Sequence, residues 1–264
     1  NPVDFQEFLL ISTNATNFTK ANQANIKVHE LAEKEIRSKN KEFHGEIDYE
    51  GAWACNLSIY EILDILRMLC NNVSRDFGFD IRIGLDIAAS SFFDGGYYNY
   101  KNFSDKEKIK KLTREEQIKF IIDLVKEYDI YYIEDPLQEE DFEGFAELKK
   151  QLKNCIICGD DLIATNPERL KKALKLKSIN AVIIKPNQAG SLIKTKQVID
   201  LAKENKIFTV MSHRSGETLD ATISQLAVGF GCPIIKCGIY GKERIAKLDE
   251  IKKIEQQIKY NVVQ

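Results

Sequence analysis

The stretch Ile130-Tyr131-Tyr132-Ile133-Glu134-Asp135-Pro136 decides the fold. Four apolar residues in a row suit a buried strand, a carboxylate closes the run, and proline cannot continue a hydrogen-bonded ladder. The same order returns downstream. Cys155-Ile156-Ile157-Cys158 leads into Gly159-Asp160-Asp161, and Ala181-Val182-Ile183-Ile184 into Lys185. Ile207-Phe208-Thr209-Val210-Met211 leads into Ser212-His213-Arg214-Ser215, and Ile234-Ile235 into Lys236. From Glu134 onward, the closing residues Glu134, Asp160, Lys185, His213 and Lys236 follow at intervals of 26, 25, 28 and 23 residues, each close to one βα unit.

Helix signals fill the intervals. Thr113-x-x-Glu116 is a capping-box pattern followed by Ile118, Ile121, Ile122 and Val125 on one helical face. Asn166-Pro167 offers an N-cap with proline at the first helical position. Upstream, residues 5–11 and 81–85 read as strands, with helices around 19–38 and 58–72, the latter opened by Ser58-x-x-Glu61. Strands alternating with helices predict an α/β fold with a largely parallel sheet. In a barrel, all strand ends converge on one face, so residues far apart in sequence meet around one pocket; a doubly wound open sheet, the alternative, does not bring every strand end to one site. Seven strand candidates are present where a closed barrel has eight, so the expected fold is a TIM-type barrel with seven of its eight strands.

Composition sets bounds. The chain has 264 residues, 44% of them hydrophobic, and all of residues 1–264 read as one barrel domain. Its 38 basic and 40 acidic residues nearly cancel, so no global field recruits nucleic acid or an anionic membrane. The longest apolar runs are of strand length, and Asn1-Pro2-Val3-Asp4 is not a basic-then-apolar leader. The six cysteines are too sparse for a disulfide scaffold, and a reducing cytoplasm is the expected location. Cys155 and Cys158 form a C-x-x-C pattern, but on a strand residues three apart face opposite ways, which predicts two core residues and no metal pair.

Three acids at strand ends, Asp86, Glu134 and Asp160, offer the oxygen ligands that Mg²⁺ prefers, and metal bridging predicts roughly 3 to 5 Å between facing oxygens. Each alone could be a carboxylate capping the next helix; three in register point to a cation. Asp161 is expected to point away from Asp160. Lys185 and Lys236 end apolar strands, and a lysine crowded by a second lysine and by metal has its charged form disfavoured, which makes a usable base. Ser212-His213-Arg214-Ser215-Gly216-Glu217 follows a strand and opens a helix, so Arg214 and the free amides of the turn suit a phosphate.

Taken in order, these segments resemble the motifs of enolases, most closely the archaeal ones. The resemblance is carried by Gly84-Leu85-Asp86 with Phe92-Phe93, Ile133-Glu134-Asp135-Pro136, Gly159-Asp160-Asp161-Leu162 with Thr165-Asn166, Lys185-x-Asn187-Gln188-x-Gly190 and Ser212-His213-Arg214-Ser215-Gly216-Glu217-Thr218. Gln6-Glu7-Phe8, Glu50-Gly51-Ala52-Trp53-Ala54 and Glu243-Arg244 belong to the same set. The resemblance implies a magnesium-dependent hydro-lyase of glycolysis that interconverts 2-phosphoglycerate and phosphoenolpyruvate, a homo-oligomer when complete. Two Mg²⁺ ions serve the family; Asp86, Glu134 and Asp160 would hold one. Lys185 would take the C2 proton, Glu50 with Glu7 would protonate the leaving hydroxyl, Lys236 would help hold the substrate carboxylate with Glu134 also facing the substrate, and Arg214 and Ser215 would take the phosphate, with His213 among the substrate-binding residues on the same loop. The resemblance also implies the superfamily's general pairing of a lysine base with a metal-stabilised ene-diolate.

This sequence departs from the family in places. Asp48-Tyr49 stands where Gly-Asp is usual, Cys55 replaces a proline and Ser91 a glutamate. Family members also carry an α+β domain and a first barrel strand before the segment matched here, so reduced or absent activity is expected of this chain by itself. The family's first two barrel strands run antiparallel, which is then expected of residues 5–11. Two other functions compete: another lyase or isomerase of the superfamily, which needs no Ser-His-Arg-Ser loop, and an inactive barrel kept as a binding or structural module.

Overall fold

The computed structural model describes residues 3–48, 50–104 and 106–262, so Tyr49 lies outside the described residues. The chain opens with β1 (Glu7–Thr13), α1 (Phe18–Lys39), α2 (Ile59–Phe77) and β2 (Asp80–Asp86). A one-turn 3₁₀ helix (Ala89–Phe92) leads to β3 (Phe93–Asp94), β4 (Tyr97–Tyr100) and β5 (Lys110–Leu112), a small antiparallel sheet. The βα units then follow: α3 (Arg114–Tyr128), β6 (Tyr132–Glu134), α4 (Phe142–Gln151), β7 (Ile156–Gly159), α5 (Pro167–Leu176), β8 (Ala181–Ile184) and the short α6 (Pro186–Ala189). They continue with α7 (Leu192–Glu204), β9 (Phe208–Ser212), α8 (Thr222–Gly229), β10 (Ile234–Lys236) and α9 (Lys242–Val262).

The main sheet has seven strands in the order β1-β2-β6-β7-β8-β9-β10, as the strand count predicts. All neighbours run parallel except β1 against β2, the antiparallel start that the resemblance implies. Residues 5–11 contribute a strand two residues later than expected, and the helix from 58 runs on to Phe77, where Gly78 in the left-handed region ends it. Both capping boxes form, and Asn166 caps α5 with Pro167 behind it. The small β3–β5 sheet is not legible as strands because its polar tyrosine-rich run is short. Its rings join an aromatic cluster in which Tyr100 lies 5.7 Å from Phe120 and 5.1 Å from Phe103.

Period-two alternation sorts each strand between two cores. Ile156, Cys158, Ala181, Ile183 and Val210 face the barrel interior with Tyr132, whereas Cys155, Ile157, Val182 and Ile184 join the larger core beneath the helices. Cys155 and Cys158 therefore sit on opposite faces, and all six cysteines are free thiols. No helix among the described residues is long and apolar enough to cross a membrane.

The sheet curls until its first and last strands meet at one rim, where Lys236 of β10 pairs with Glu7 of β1 at 2.5 Å. The helical layer closes behind them, since Glu255 of α9 accepts the Phe18 N–H at 2.7 Å and the Thr19 hydroxyl at 2.6 Å. Away from the rim, β1 and β10 each have a single strand neighbour. A cleft of about 830 Å³ runs between them, with Leu9 and Ile11 on one wall and Ile234 and Ile235 on the other.

Candidate active site

Register places the candidate residues on one rim. Glu7 is opposite Asp86, Asp86 opposite Glu134, and Ser212 opposite Lys236; Asp160, Lys185 and His213 each follow the last residue of a neighbouring strand. Lys236 is the hub. Its ammonium lies 2.5 Å from Glu7 Oε2, 2.6 Å from Asp86 Oδ2 and 2.9 Å from Glu134 Oε1. Lys185 pairs with Asp160 Oδ2. Glu134 is fully buried, and its second oxygen accepts the Tyr132 hydroxyl at 2.7 Å.

Burial pushes Asp86 upward from the usual carboxylate range; Glu7 adds to that, and Lys236 opposes it. Glu134 is pushed well up by burial and by Asp86. For Lys236, burial works toward a lower value, yet Glu134, Asp86 and Glu7 outweigh it and hold the ammonium firmly charged. Its immediate partners are thus the carboxylates of Glu7, Asp86 and Glu134.

Asp86, Glu134 and Asp160 occupy adjoining strand ends but do not close to 4.8 Å of one another as a trio, because Lys236 spans the first two and Lys185 draws the third. Among the described residues, two other groups do reach that distance, Asp135/Asp160/Asp161 and Glu7/Glu50/His213. The donor set nevertheless fits a hard divalent cation. Asp160 Oδ1 is buried with no hydrogen-bond partner, a carboxylate oxygen left for a cation, and all the neighbouring ligands are oxygens.

Asp135 is a site residue that strand-end spacing missed. It follows Glu134 with φ of 41°, in the left-handed region, and its buried carboxylate accepts the Asp160 N–H at 3.0 Å and the Asp161 N–H at 2.6 Å. It thus fixes the turn that presents Asp160. The available signal was alternation: the residue beside Glu134 cannot share its face, so an acid there has other partners. Asp161 is exposed, yet its carboxylate stays within 4.8 Å of those of Asp160 and Asp135, contrary to the expectation that it points away, because both acids lie in the turn after β7, where strand alternation no longer applies.

The loop that carries Glu50 is built by side chains from elsewhere. Asp48 accepts the N–H groups of Glu50 and Ala52 at 2.8 and 2.9 Å, an Asx-type turn that gives the departure at this position a structural role. Gly51 has φ of 89°, and a Cβ there would meet the Tyr240 carbonyl at 3.0 Å, so glycine is required. His29 stacks on Trp53 at 4.4 Å and reaches the Gly51 carbonyl at 3.3 Å, while the indole N–H donates to the His29 carbonyl at 2.9 Å. Glu50, so presented, accepts the Ser215 hydroxyl.

His213 Nε2 faces Glu7 Oε1 at 4.0 Å and Glu50 Oε2 at 3.9 Å, beyond hydrogen-bond reach. Burial lowers its pKa to about 4, helped by Lys236 and Arg244 and opposed by Glu7, so the ring is neutral at physiological pH. Arg214 is exposed and donates to Asn187 Oδ1 at 3.2 Å. Glu7, Glu50, Ser215, His213 and Lys236 therefore form one connected set, with Arg214 beside it at Asn187, just beyond the end of β8.

A curled α/β sheet with carboxylates and lysines gathered at its strand ends defines the class as a TIM-type barrel with a polar pocket at its C-terminal face. Residues 1–263 match the family model described as "Enolase, C-terminal TIM barrel domain", and the chain belongs to the enolase family. It is 48% identical over 259 residues to an enolase of Methanosphaera stadtmanae, covering 98% of this chain and 62% of that protein. To an enolase of Archaeoglobus fulgidus it is 45% identical over 251 residues, covering 95% of this chain and 60% of that protein. The chain thus spans about three fifths of the length of these relatives.

Proposed function

We propose that the full-length gene product carrying this domain catalyses the reversible dehydration of 2-phosphoglycerate to phosphoenolpyruvate. The observation that carries this reading is the single rim on which Lys236 gathers Glu7, Asp86 and Glu134, Lys185 holds Asp160, and Ser215 reaches Glu50. Magnesium held by Asp86, Glu134 and Asp160 would supply positive charge beside the substrate carboxylate, where removal of an α-proton builds negative charge.

The chain's own residues divide the remaining work. Lys185 Nζ takes the proton from C2, and the C–H electron pair passes into the carboxylate. The fixed ammonium of Lys236 stabilises the resulting ene-diolate. Glu50, steadied by Ser215 and with Glu7 across His213, gives its proton to the C3 hydroxyl, which leaves as water while the electron pair forms the C2–C3 double bond. Arg214 and Ser215 hold the phosphate, and neutral His213 lines the pocket between the two glutamates.

A coupled assay for phosphoenolpyruvate at saturating Mg²⁺, run on the full-length product and on the 264-residue chain, tests this. Turnover by the full-length product that disappears on chelation is expected. The open seam between β1 and β10 favours a second reading, a barrel kept for binding, and a full-length product with no turnover would support that reading instead.

A further inference from the structure

Lys247 of α9 has a side chain with no exposed surface, on a helix whose other lysines are largely solvated. Burying an ammonium is costly unless its protons are all used and its charge is matched. Lys247 meets both conditions. Nζ donates to the carbonyls of Thr218, Asp220 and Glu243 at 2.8, 2.9 and 3.0 Å, and lies 2.6 Å from Glu217 Oε2. Glu217 in turn accepts the backbone N–H of Arg214 at 2.9 Å through Oε1. Burial works to raise the Glu217 carboxyl, but the Lys247 ammonium and the Arg214 amide hold it below its ordinary value.

One turn earlier on α9, the buried Arg244 donates from Nη2 to the Ser215 carbonyl at 3.2 Å. Three carbonyls of the loop at residues 213–220, those of Ser215, Thr218 and Asp220, are thus drawn onto cations of α9. Carbonyl oxygens repel an anion, so turning them toward the helix leaves the Arg214 guanidinium and the Ser215 hydroxyl to face the rim.

We propose that Lys247, acting through Glu217 and seconded by Arg244, is a positioning residue for phosphate binding. It holds residues 213–220 in the one conformation that presents Arg214 and Ser215 to a phosphate monoester. The inference rests on reading those two residues as the phosphate ligands. Nothing in the reaction requires Lys247 to touch substrate; its effect is on where the loop sits.

The test uses the full-length product and two readouts, KM against kcat for dehydration, and the affinity for inorganic phosphate alone. Lys247→Met is expected to weaken phosphate binding and raise KM by about tenfold or more, the scale set by losing a charge-assisted hydrogen-bond set. Isotope exchange at C2 under saturating substrate should fall far less. Glu217→Gln should act in the same direction without creating a cavity, and the double variant should be no worse than Lys247→Met. Glu217→Gln carries the test if Lys247→Met does not fold. Ser224→Ala serves as a packing control, because Ser224 donates to the Lys247 carbonyl at 2.8 Å without touching the loop. Unchanged phosphate affinity in Glu217→Gln, or an equal loss in Ser224→Ala, would overturn the inference. Arg214→Ala separates the two levels: if it weakens phosphate binding while Glu217→Gln does not, only the positioning role falls. If Arg214→Ala binds phosphate normally, the phosphate-loop reading falls and takes this inference with it.

Discussion

Glu134 and Glu50 both face the rim, yet different parts of the molecule hold them there. Glu134 closes β6, lies in register with Asp86 on one side and Cys158 on the other, and is fully buried. Glu50 sits in an irregular loop shaped by Asp48, His29, Trp53 and Tyr240. A ladder fixes a strand-end side chain through many backbone bonds at once, so removing one neighbour moves it little. A loop residue depends on a few side chains, each removable by a single substitution. Strand-end changes should therefore act on chemistry, and changes around the loop on placement.

The largest expected effect falls on the strand-end side. In the full-length product, Lys185→Ala should lower kcat by about 10²–10⁴-fold, the usual contribution of a general base, with KM little changed because the interaction is made in the transition state. Undiminished hydrogen exchange at C2 in that variant would remove Lys185 as the base and leave the comparison without its chemical half.

Next in size is the open seam, which lies beside both kinds of region. Glu7 and Lys236 belong to the two edge strands of the main sheet among the described residues, and their pairing sits at the mouth of the cleft. Displacing a catalytic group by about 1 Å can cost on the order of 10²-fold. The 264-residue chain assayed by itself should therefore turn over at least about 10²-fold more slowly than the full-length product, and unpaired strand edges should make it self-associate. Circular dichroism establishes that it folds and light scattering reports its association. Near-equal turnover would show that the seam does not disturb the rim.

Asp48 probes the loop side directly. Asp48→Ala removes the acceptor of two amides, and losing such a side-chain cap costs roughly 0.5–2 kcal/mol. The expected result is a drop in kcat of up to about tenfold, recovered in Asp48→Asn, whose amide oxygen can still accept both N–H groups. A drop as large as that of Lys185→Ala would mean that Asp48 takes part in the chemistry, contrary to its role in shaping the turn.

The same contrast explains what was legible in the sequence. The seven strands, the capping boxes of α2 and α3 and the rim residues Glu134, Asp160, Lys185 and Lys236 could be read because apolar runs of strand length end in polar residues at one βα spacing, and Asp86 because it closes an apolar run of the same kind upstream. The antiparallel entry of β1 came only from family likeness, since no periodicity distinguishes strand direction. Asp48, Asp135, Glu217 and Lys247 were invisible as site-building residues. Their roles come from pairing with backbone N–H groups and carbonyls that the fold brings close, as when Lys247 meets Thr218, and a lysine at helical spacing looks the same whether it faces solvent or a loop. Lys236 was legible as a rim residue from its spacing, and the structure adds the three carboxylates around it.

The smallest effect, and the finest test of the loop side, is the pH response of His29. Burial lowers its pKa below the ordinary 6.5, against the opposing pull of the Gly51 carbonyl and of Glu30 and Glu33. The sign follows from linkage. A group that is harder to protonate folded than unfolded contributes stability that is fully present above the unfolded value and is lost as pH falls through the folded one. The loop should therefore loosen modestly on acidification from about pH 6.5 downward, with Glu50 less firmly placed. The chain's one tryptophan, Trp53, stacks on His29 at 4.4 Å and so reports the change locally. Tryptophan fluorescence followed between about pH 5 and 8 should titrate with a midpoint below 6.5, and His29→Gln should abolish that transition while leaving the fold intact. A midpoint above 6.5 would instead place the attraction between an imidazolium and the indole face in control, since that interaction favours the charged ring.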